Sequence, residues 1–257
     1  MTSRVVVTGG GSGIGQAIAE DLARQGHIVT IVDLHDDDAR RTTEGLEGDG
    51  HLAIVGDVAE REIHHRAADL SPQLVGWVNC AGITLETPLS DPDEAHVRRL
   101  VDVNQLGSYW GCSAAVGRFL RQGNGGSIVN ISSIHGRMGA ADFGAYEMTK
   151  AAIEALTRNV AVTYGGSGIR ANAVAPGAVM TPALMATVEA TTDPSATVGE
   201  LAKLAPLRRI ADPGEIATVV RFLLSSDASY LTGQSIAVDG GWSVALGISE
   251  RSPGSAR

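Results

Sequence analysis

A glycine-rich turn near the start of the chain constrains the fold more than any other stretch of the sequence. Residues 5–8 are β-branched and residues 14, 18 and 22 are apolar at helical spacing, which predicts a strand, a tight turn and a helix. Free backbone N–H groups and the helix dipole at such a turn attract an anion, so it can cradle a pyrophosphate. Glycine-rich turns also occur for purely geometric reasons, which is the alternative interpretation. The residues expected to form the cradle are Gly9, Gly11, Ser12, Gly13, Ile14 and Gly15.

The composition suits one folded α/β domain. The chain has 257 residues, of which 44% are hydrophobic and 19% charged, enough to build a large core. A net charge of −9 and an aromatic content of 4% lack the basic, aromatic-rich pattern of nucleic-acid binding, so no nucleic-acid partner is expected. The longest uncharged stretch, residues 171–188, contains Asn172, Pro176 and Pro182, which argues against a membrane helix.

Cysteine and histidine usage predicts no metal centre. Cys80 and Cys112 allow at most one disulfide, and the first strand begins too early for a signal peptide, so we expect a cytoplasmic protein. The histidines and cysteines do not have the spacing of metal ligands. His64 and His65 fall in a polar segment, and we expect both at the solvent-exposed surface.

Strand-like and helix-like segments alternate along the chain. After the first strand, apolar strands are predicted at residues 27–32, 51–56, 75–78, 127–131, 169–174 and 235–238. This alternation implies a parallel sheet covered on both faces. The sequence therefore predicts an α/β fold, a single doubly wound Rossmann domain over residues 1–257 with a mainly parallel seven-stranded sheet. Residues 182–206 are expected to form an insertion over the site, and residues 249–257 a loose tail.

An acidic residue ends the second predicted strand. Asp33 follows Gly15 by 18 residues, about where a dinucleotide fold places the carboxylate that binds the adenosine ribose. A 2′-phosphate about 4 Å away would be repelled by roughly 4 kcal/mol per unit charge. Leu34 offers no compensating cation, so this position favours NAD over NADP, although Arg40 and Arg41 follow within two helical turns. A helix N-cap is the alternative role, and it is compatible with the first.

Three helices are predicted at residues 60–70, 92–122 and 143–164. Asn104 lies among apolar residues of the second, so its amide must find hydrogen-bond partners inside the protein. In the third, Tyr146 and Lys150 are four residues apart and share one face. Ser133 follows the fifth strand at the carboxyl edge of the sheet, where open α/β sheets bind ligands.

In the order and spacing of these motifs, the chain resembles the single-domain short-chain dehydrogenase/reductases over residues 5–242. The matching positions are Thr8-Gly9-x-x-x-Gly13-x-Gly15, Asp57, Asn79-x-Ala81-Gly82, Asn104, Ser133, Tyr146-x-x-x-Lys150, Pro176-Gly177 and Thr181. Cys80 and Glu147 depart from the usual pattern, and neither change removes a reacting group. The resemblance implies a homotetramer that uses a nicotinamide cofactor to oxidise a secondary alcohol to a ketone.

The resemblance also assigns roles to residues. Tyr146 would take the alcohol proton, and Lys150 at about 4 Å would stabilise the phenolate by roughly 4 kcal/mol. Asn104 would support a water, and Ser133 would bind the substrate oxygen. His135 is expected to be a further substrate contact. The alternative for His135 is a hydrogen bond from its ring to nearby backbone. Besides the cradle and Asp33, the expected cofactor contacts are Leu34, Asp57, Val58, Asn79, Ala81, Gly82, Tyr146, Lys150, Pro176, Gly177, Val179 and Thr181.

Together these features predict an NAD-dependent oxidoreductase acting on a small or medium secondary alcohol, polyol or alicyclic compound. An NADPH-dependent 3-oxoacyl reductase is one alternative. Such an enzyme requires a basic residue after Asp33 and a basic face that binds an acidic carrier protein. Leu34 disfavours the first requirement and the net charge of −9 disfavours the second. The other alternative is a nucleotide-sensing binding protein without turnover, which the intact set of Ser133, Tyr146 and Lys150 disfavours.

Overall fold

Seven parallel strands form one sheet at the centre of the computed structural model, which describes residues 3–246. In chain order the strands are β1 (Arg4–Thr8), β2 (Ile28–Asp33), β3 (Leu52–Val55), β4 (Leu74–Asn79), β5 (Gly126–Ile131), β6 (Ile169–Pro176) and β7 (Ser235–Val238). Across the sheet they follow the order β3-β2-β1-β4-β5-β6-β7, and each neighbouring pair is parallel. The predicted fold is confirmed, with the described sheet parallel throughout. The tail predicted at residues 249–257 lies outside the described residues.

Helices cover both faces of the sheet and pack on two apolar clusters. They are α1 (Gly13–Arg24), α2 (Asp36–Gly45), α3 (Arg61–Asp69), α4 (Glu94–Leu100), α5 (Gly107–Gln122), α6 (Gly144–Tyr164), α7 (Pro182–Glu189), α8 (Pro194–Leu204) and α9 (Pro213–Leu224). Because successive residues of a strand point to opposite faces, Val5 and Val7 pack with α1 and α9, whereas Val6 packs with α3, α5 and α6. None of the helices in residues 3–246 is both long enough and apolar enough to cross a membrane.

The helix predicted at residues 92–122 is one continuous rod in the structure, and its middle segment is π-helical rather than α-helical. α4 continues through a π-helical segment, Val101–Leu106, into α5, with helical backbone angles at both junctions. Asn104 lies in this wider turn and is fully buried. Short π-helical segments occur frequently at functional sites. The apolar spacing predicted the rod but not this turn.

The insertion predicted at residues 182–206 forms two helices, α7 and α8. Each begins with a proline that follows a capping residue: Thr181 precedes Pro182, and Asp193 precedes Pro194. Proline suits the first helical position because its missing N–H would have no partner there. The side-chain oxygen of each capping residue accepts a backbone N–H of the first turn, which explains why both helices start where they do.

The prediction of an exposed surface position was wrong for His64. Its ring is fully buried, and Nε2 lies 2.8 Å from the carbonyl oxygen of Val58. His64 belongs to the inward stripe of α3 with Ala67 and Ala68, and its ring centroid is 6.1 Å from that of Trp77. Burial lowers the pKa of His64, so the ring is neutral at pH 7 and donates through Nε2 to the Val58 carbonyl.

Buried side-chain hydrogen bonds tie the middle of the sheet to its helices. Asn79 accepts from Trp77 Nε1 at 2.8 Å and donates to Asn130 Oδ1 at 2.8 Å. Asn130 in turn donates to Thr157 Oγ1 of α6 at 2.8 Å. Helix α5 passes so close to this network that a Cβ on Gly111 would lie 1.9 Å from Asn79 Oδ1. The network therefore requires glycine at this position.

Replacing Gly111 by Ala is expected to destabilise the protein by about 2–4 kcal/mol, because the methyl group must displace Asn79 and leave buried polar groups unpaired. Gly117→Ala is the matched control on the same helix, since a Cβ there meets only the end of the Arg121 side chain, at 3.4 Å. Gly117→Ala should leave stability unchanged or raise it by up to about 1 kcal/mol. Chemical denaturation measures both values, and equal effects of the two substitutions would contradict the packing described here.

Candidate active site

The turn between β1 and α1 presents uncapped backbone N–H groups at the carboxyl edge of the sheet. Ser12 precedes α1, its side chain makes no capping hydrogen bond, and the first turn of α1 carries no acidic residue. Gly9 has a φ of +67°, and a Cβ there would lie 2.7 Å from the backbone of Ala81. The strand end and the helix start are therefore held close to β4, and the N–H groups of α1 remain open to an anion.

Asp33 is fixed beside this turn by two backbone hydrogen bonds. Its Oδ2 accepts from the N–H of Gly11 at 2.8 Å, and its Oδ1 accepts from the N–H of His35 at 3.1 Å. The carboxylate thus lies next to the cradle, where the sequence prediction put it. Leu34 beside it is half exposed.

The arginines that follow Asp33 are occupied by carboxylates of their own helix. Arg40 Nε lies 2.5 Å from Asp36 Oδ1, and Arg41 Nη2 lies 2.5 Å from Asp38 Oδ1. Both pairs are on the exposed side of α2. The positive charge on this helix is therefore matched by neighbouring negative charge.

The segment after β3 is held from two sides. Asp57 accepts from the N–H of Ala59 at 2.9 Å and from Nη1 of Arg99 at 2.7 Å. Partial burial acts to raise the pKa of Asp57, but these hydrogen bonds and the charge of Arg99 together lower it below the ordinary value. The bond from His64 fixes the carbonyl of the next residue, Val58. The sequence did not indicate Arg99 as a partner of Asp57, and it indicated a surface position for His64, because a long-range partner leaves no local pattern.

The segment after β4 forms the floor between the cradle and α6. Thr8 Oγ1 accepts the N–H groups of Cys80 and Ala81 at 3.1 and 3.2 Å, which joins the ends of β1 and β4. Asn79 lies inside the buried network with Trp77 and Asn130, so its side chain does not face the cradle. The side chain of Asn79 therefore supports the floor from beneath, and a contact of this residue with the cofactor stays a prediction. Burial raises the pKa of Cys80 to about 12, so the thiol stays protonated at neutral pH.

Two hydrogen bonds dock the end of β5 on α6. Lys150 is 5% exposed, and its Nζ donates to the carbonyl oxygen of Ile131 at 3.0 Å. Ser132 Oγ donates back to the carbonyl oxygen of Lys150 at 3.0 Å. The Lys150 nitrogen is 5.6 Å from the centroid of the Tyr146 ring. Ser133 directly follows Ser132, whose hydroxyl is bonded to the Lys150 carbonyl.

Asn104 joins three elements with one side chain. Its Oδ1 accepts from the N–H of Ile83 at 2.8 Å, and its Nδ2 donates to the Ile83 carbonyl at 2.9 Å and to Thr149 Oγ1 at 3.3 Å. A Cβ on Gly82 would lie 3.3 Å from Asn104 Oδ1 and 3.5 Å from Lys150 Nζ. The amide is therefore engaged by the protein itself, and it brings the π-helical turn, the floor and α6 together.

His135 lies between two aromatic rings. Its ring centroid is 6.5 Å from that of Tyr146 and 6.0 Å from that of Trp242, both in edge-on geometry. Its Nδ1 is buried without a hydrogen-bond partner among the described residues. The backbone N–H of His135 donates to Ser133 Oγ at 3.2 Å. The ring therefore makes no bond to nearby backbone through Nδ1, and Trp242 joins the site as a residue that the sequence motifs did not single out.

The end of β6 closes the site on the side of α7. Thr181 caps α7 and lies against the cradle, since a Cβ on Gly13 would be 3.3 Å from Thr181 Cγ2. Its N–H donates to the carbonyl of Val179 at 2.8 Å. Pro176 and Gly177 lie in register with the end of β7. On the opposite rim, Glu147 accepts the N–H of Ala140, which fixes the loop before α6.

Known proteins resemble this chain over nearly its whole length. The family model described as enoyl-(acyl carrier protein) reductase matches residues 9–243. 3beta-hydroxysteroid dehydrogenase 1 of Eggerthella lenta is 34% identical over 251 residues, which cover 95% of each chain. Levodione reductase of Leifsonia aquatica is 33% identical over 264 residues, covering 95% of this chain and 96% of the relative. Ligand-free aldohexose dehydrogenase of Thermoplasma acidophilum superposes with a TM-score of 0.87 at 31% identity, covering 98% of each chain.

The similarity spans the cradle, the floor and α6 rather than one motif, and the curated relatives named here exceed 30% identity. The chain therefore belongs to the short-chain dehydrogenase/reductase family of NAD(P)-dependent oxidoreductases.

Proposed function

We propose that the protein is an NAD-dependent dehydrogenase that interconverts a secondary alcohol and its ketone, with Tyr146 as the general acid and base. The proposal rests above all on Tyr146 and Lys150, one helical turn apart on α6, with the buried lysine nitrogen 5.6 Å from the tyrosine ring. This pair lies where β4, β5 and the π-helical turn meet. A proton acceptor supported by a fixed cation is what removal of an alcohol proton needs.

The residues present fit a nicotinamide dinucleotide. The uncapped start of α1 suits the pyrophosphate, Asp33 suits the ribose hydroxyls, and Thr181 lies against the cradle where the carboxamide would bind. When bound, the nicotinamide accepts a hydride from the alcohol carbon. The protein must then take up the hydroxyl proton and exclude competing water.

Proton transfer falls to Tyr146, supported by Lys150. Lys150 Nζ lies 5.6 Å from the centroid of the Tyr146 ring, and opposite unit charges at about this separation attract by about 3 kcal/mol at an effective dielectric constant near 20. The hydrogen bond to Ile131 holds Lys150 so that its charge is already oriented before reaction. Ser133 Oγ accepts the His135 N–H, which leaves its own O–H free to donate to the substrate oxygen.

Asn104 acts in this proposal as a positioning residue. Its amide is committed to Ile83 and Thr149, so its contribution is to hold the floor against α6 beside Lys150. His135 offers the substrate a ring whose buried Nδ1 has no hydrogen-bond partner within residues 3–246. It is proposed to contact a polar group of the substrate near Tyr146.

The charges near Asp33 favour NAD over NADP. The Asp33 carboxylate would face the 2′-phosphate of NADP at close range, with repulsion of roughly 4 kcal/mol per unit charge at 4 Å. Arg40 and Arg41, the nearest cations along the chain, are engaged by Asp36 and Asp38. A 2′-phosphate would have to compete with these carboxylates for either arginine.

The relatives guide the substrate class. Two of them are named for a hydroxysteroid and for levodione, which supports an alicyclic or comparable secondary alcohol here. The matching family description names an enoyl-(acyl carrier protein) reductase, so activity should be assayed on 2-enoyl thioesters as well as on the 3-oxoacyl thioesters of the alternative function. The net charge of −9 disfavours docking of an acidic carrier protein. A cytoplasmic homotetramer remains part of the proposal.

Tyr146→Phe is expected to lower kcat by at least about 100-fold, because it removes the acid and base while keeping the ring. NADH binding, measured by fluorescence, should stay close to wild type, which separates lost chemistry from lost cofactor. Tyr164→Phe, at the far end of α6, is the matched control and should retain activity. Full activity of Tyr146→Phe on the preferred alcohol would contradict the mechanism.

Asp33→Asn is expected to raise the ratio of kcat/KM for NADP to that for NAD by about tenfold or more, because it removes the charge that opposes the 2′-phosphate. Asp49→Asn removes the same charge from an exposed loop position and should leave the ratio unchanged. Steady-state kinetics with both cofactors measures the ratio. An unchanged ratio in Asp33→Asn would overturn the assignment of NAD preference to this carboxylate.

A further inference from the structure

A cavity adjoins the candidate active site at Trp242, whose side chain lines it. It has a volume of about 450 Å³ and lies between α8, the segment leading to α9, and the end of β7. Ser133, Tyr146 and Lys150 are not part of its lining. Cavities of roughly 300–1,000 Å³ are typical of small-molecule sites. Apolar or small lining residues include Leu201, Ala205, Leu207, Ala237 and Trp242.

The charged groups in the lining already have hydrogen-bond partners within the protein. Arg209 donates to both carboxylate oxygens of Glu215, at 2.6 and 2.7 Å. Asp239 accepts the N–H groups of Gly241 and Ser243 at 2.9 and 2.7 Å. A charged ligand would find these groups engaged and would lose its own hydration on entry. The cavity therefore selects an uncharged, apolar occupant.

Two rings, those of Trp242 and His135, lie between the cavity and Tyr146. Trp242 lines the cavity and lies edge-on to His135, whose ring in turn lies edge-on to Tyr146. Ala178 also lines the cavity. A Cβ on the preceding residue, Gly177, would be 3.0 Å from Asp239 Cα, so the end of β6 borders both the cavity and the active site.

We propose that this cavity receives the distal apolar part of the substrate, past the edge of the Trp242 ring. The proposal rests on the proposed alcohol dehydrogenase function and makes it more specific. It assigns to the protein alicyclic secondary alcohols that carry a second, uncharged hydrocarbon group remote from the hydroxyl. The hydroxyl reaches Tyr146, while the remote group enters between α8 and β7.

The test compares cyclohexanol with 4-cyclohexylcyclohexanol, which share the reacting ring and differ by one apolar ring. The wild-type protein is expected to show a kcat/KM about tenfold or more higher for the larger alcohol. Ala237→Phe and Leu201→Trp fill the cavity from opposite sides and should abolish this gain while leaving cyclohexanol oxidation unchanged. Leu204→Trp, on the exposed side of α8 and outside the lining, should keep the gain.

Binding of 4-cyclohexylcyclohexanone, measured by calorimetry in the presence of NADH, gives a readout that does not require turnover. Weaker binding in both filling variants, with thermal unfolding and NADH affinity retained, supports the proposal. Equal kcat/KM for the two alcohols, or a gain and an affinity that survive both substitutions, overturns it and leaves the proposed function standing. Ketone binding that the variants weaken, without oxidation of any alcohol in the panel, would instead refute the dehydrogenase function and keep the cavity as a binding site.

Discussion

All described strands run in the same direction, so each delivers its last residue to one edge of the sheet, and the site depends on this constraint. The strand order turns back between β1 and β4, and the helices that follow those two strands leave to opposite faces. Where neighbouring connections diverge, a crevice opens above the strand ends. Thr8 links the ends of β1 and β4 across this crevice by accepting the N–H groups of Cys80 and Ala81. These two hydrogen bonds hold the cradle against the floor. The anion-binding turn and the floor are thus products of chain topology before any side chain contributes chemistry.

On that frame, the residues expected to react also hold the structure together. Lys150 ties α6 to β5 through the Ile131 carbonyl, and Asn104 ties the π-helical turn to the floor and to Thr149. A buried ammonium group costs free energy unless its hydrogen bonds are made, and here a backbone carbonyl supplies one. Such double use fixes the geometry of the site by the same bonds that stabilise the fold. It also means that removing Lys150 or Asn104 changes stability and chemistry together, whereas the phenol oxygen of Tyr146 can be removed with its ring left in place.

The sequence was informative wherever a property is local. Glycine spacing and β-branched runs predicted the cradle and the strands, because backbone geometry dictates those residue types. It was uninformative wherever a partner is distant in the chain. His64 was expected at the surface because its neighbours are polar, yet α3 turns it inward against Trp77. Asn79 was singled out as part of a family motif, but that motif did not indicate that its side chain bonds to Trp77 and Asn130. Arg99 and Trp242 reach the site only through tertiary packing, which no spacing records.

The π-helical turn at residues 101–106 carries a consequence for chain length. Such a turn is an α-helix with one residue inserted, and the helix on either side keeps its original facing. Deleting one residue here would convert the π-helical segment into regular α-helix and leave Gly111 packed against Asn79. The packing of α5 would therefore be retained. What the shorter rod would lose is the bulge from which Asn104 reaches Ile83. The extra residue of this segment therefore serves the reach of Asn104 rather than the packing of α5 on the sheet.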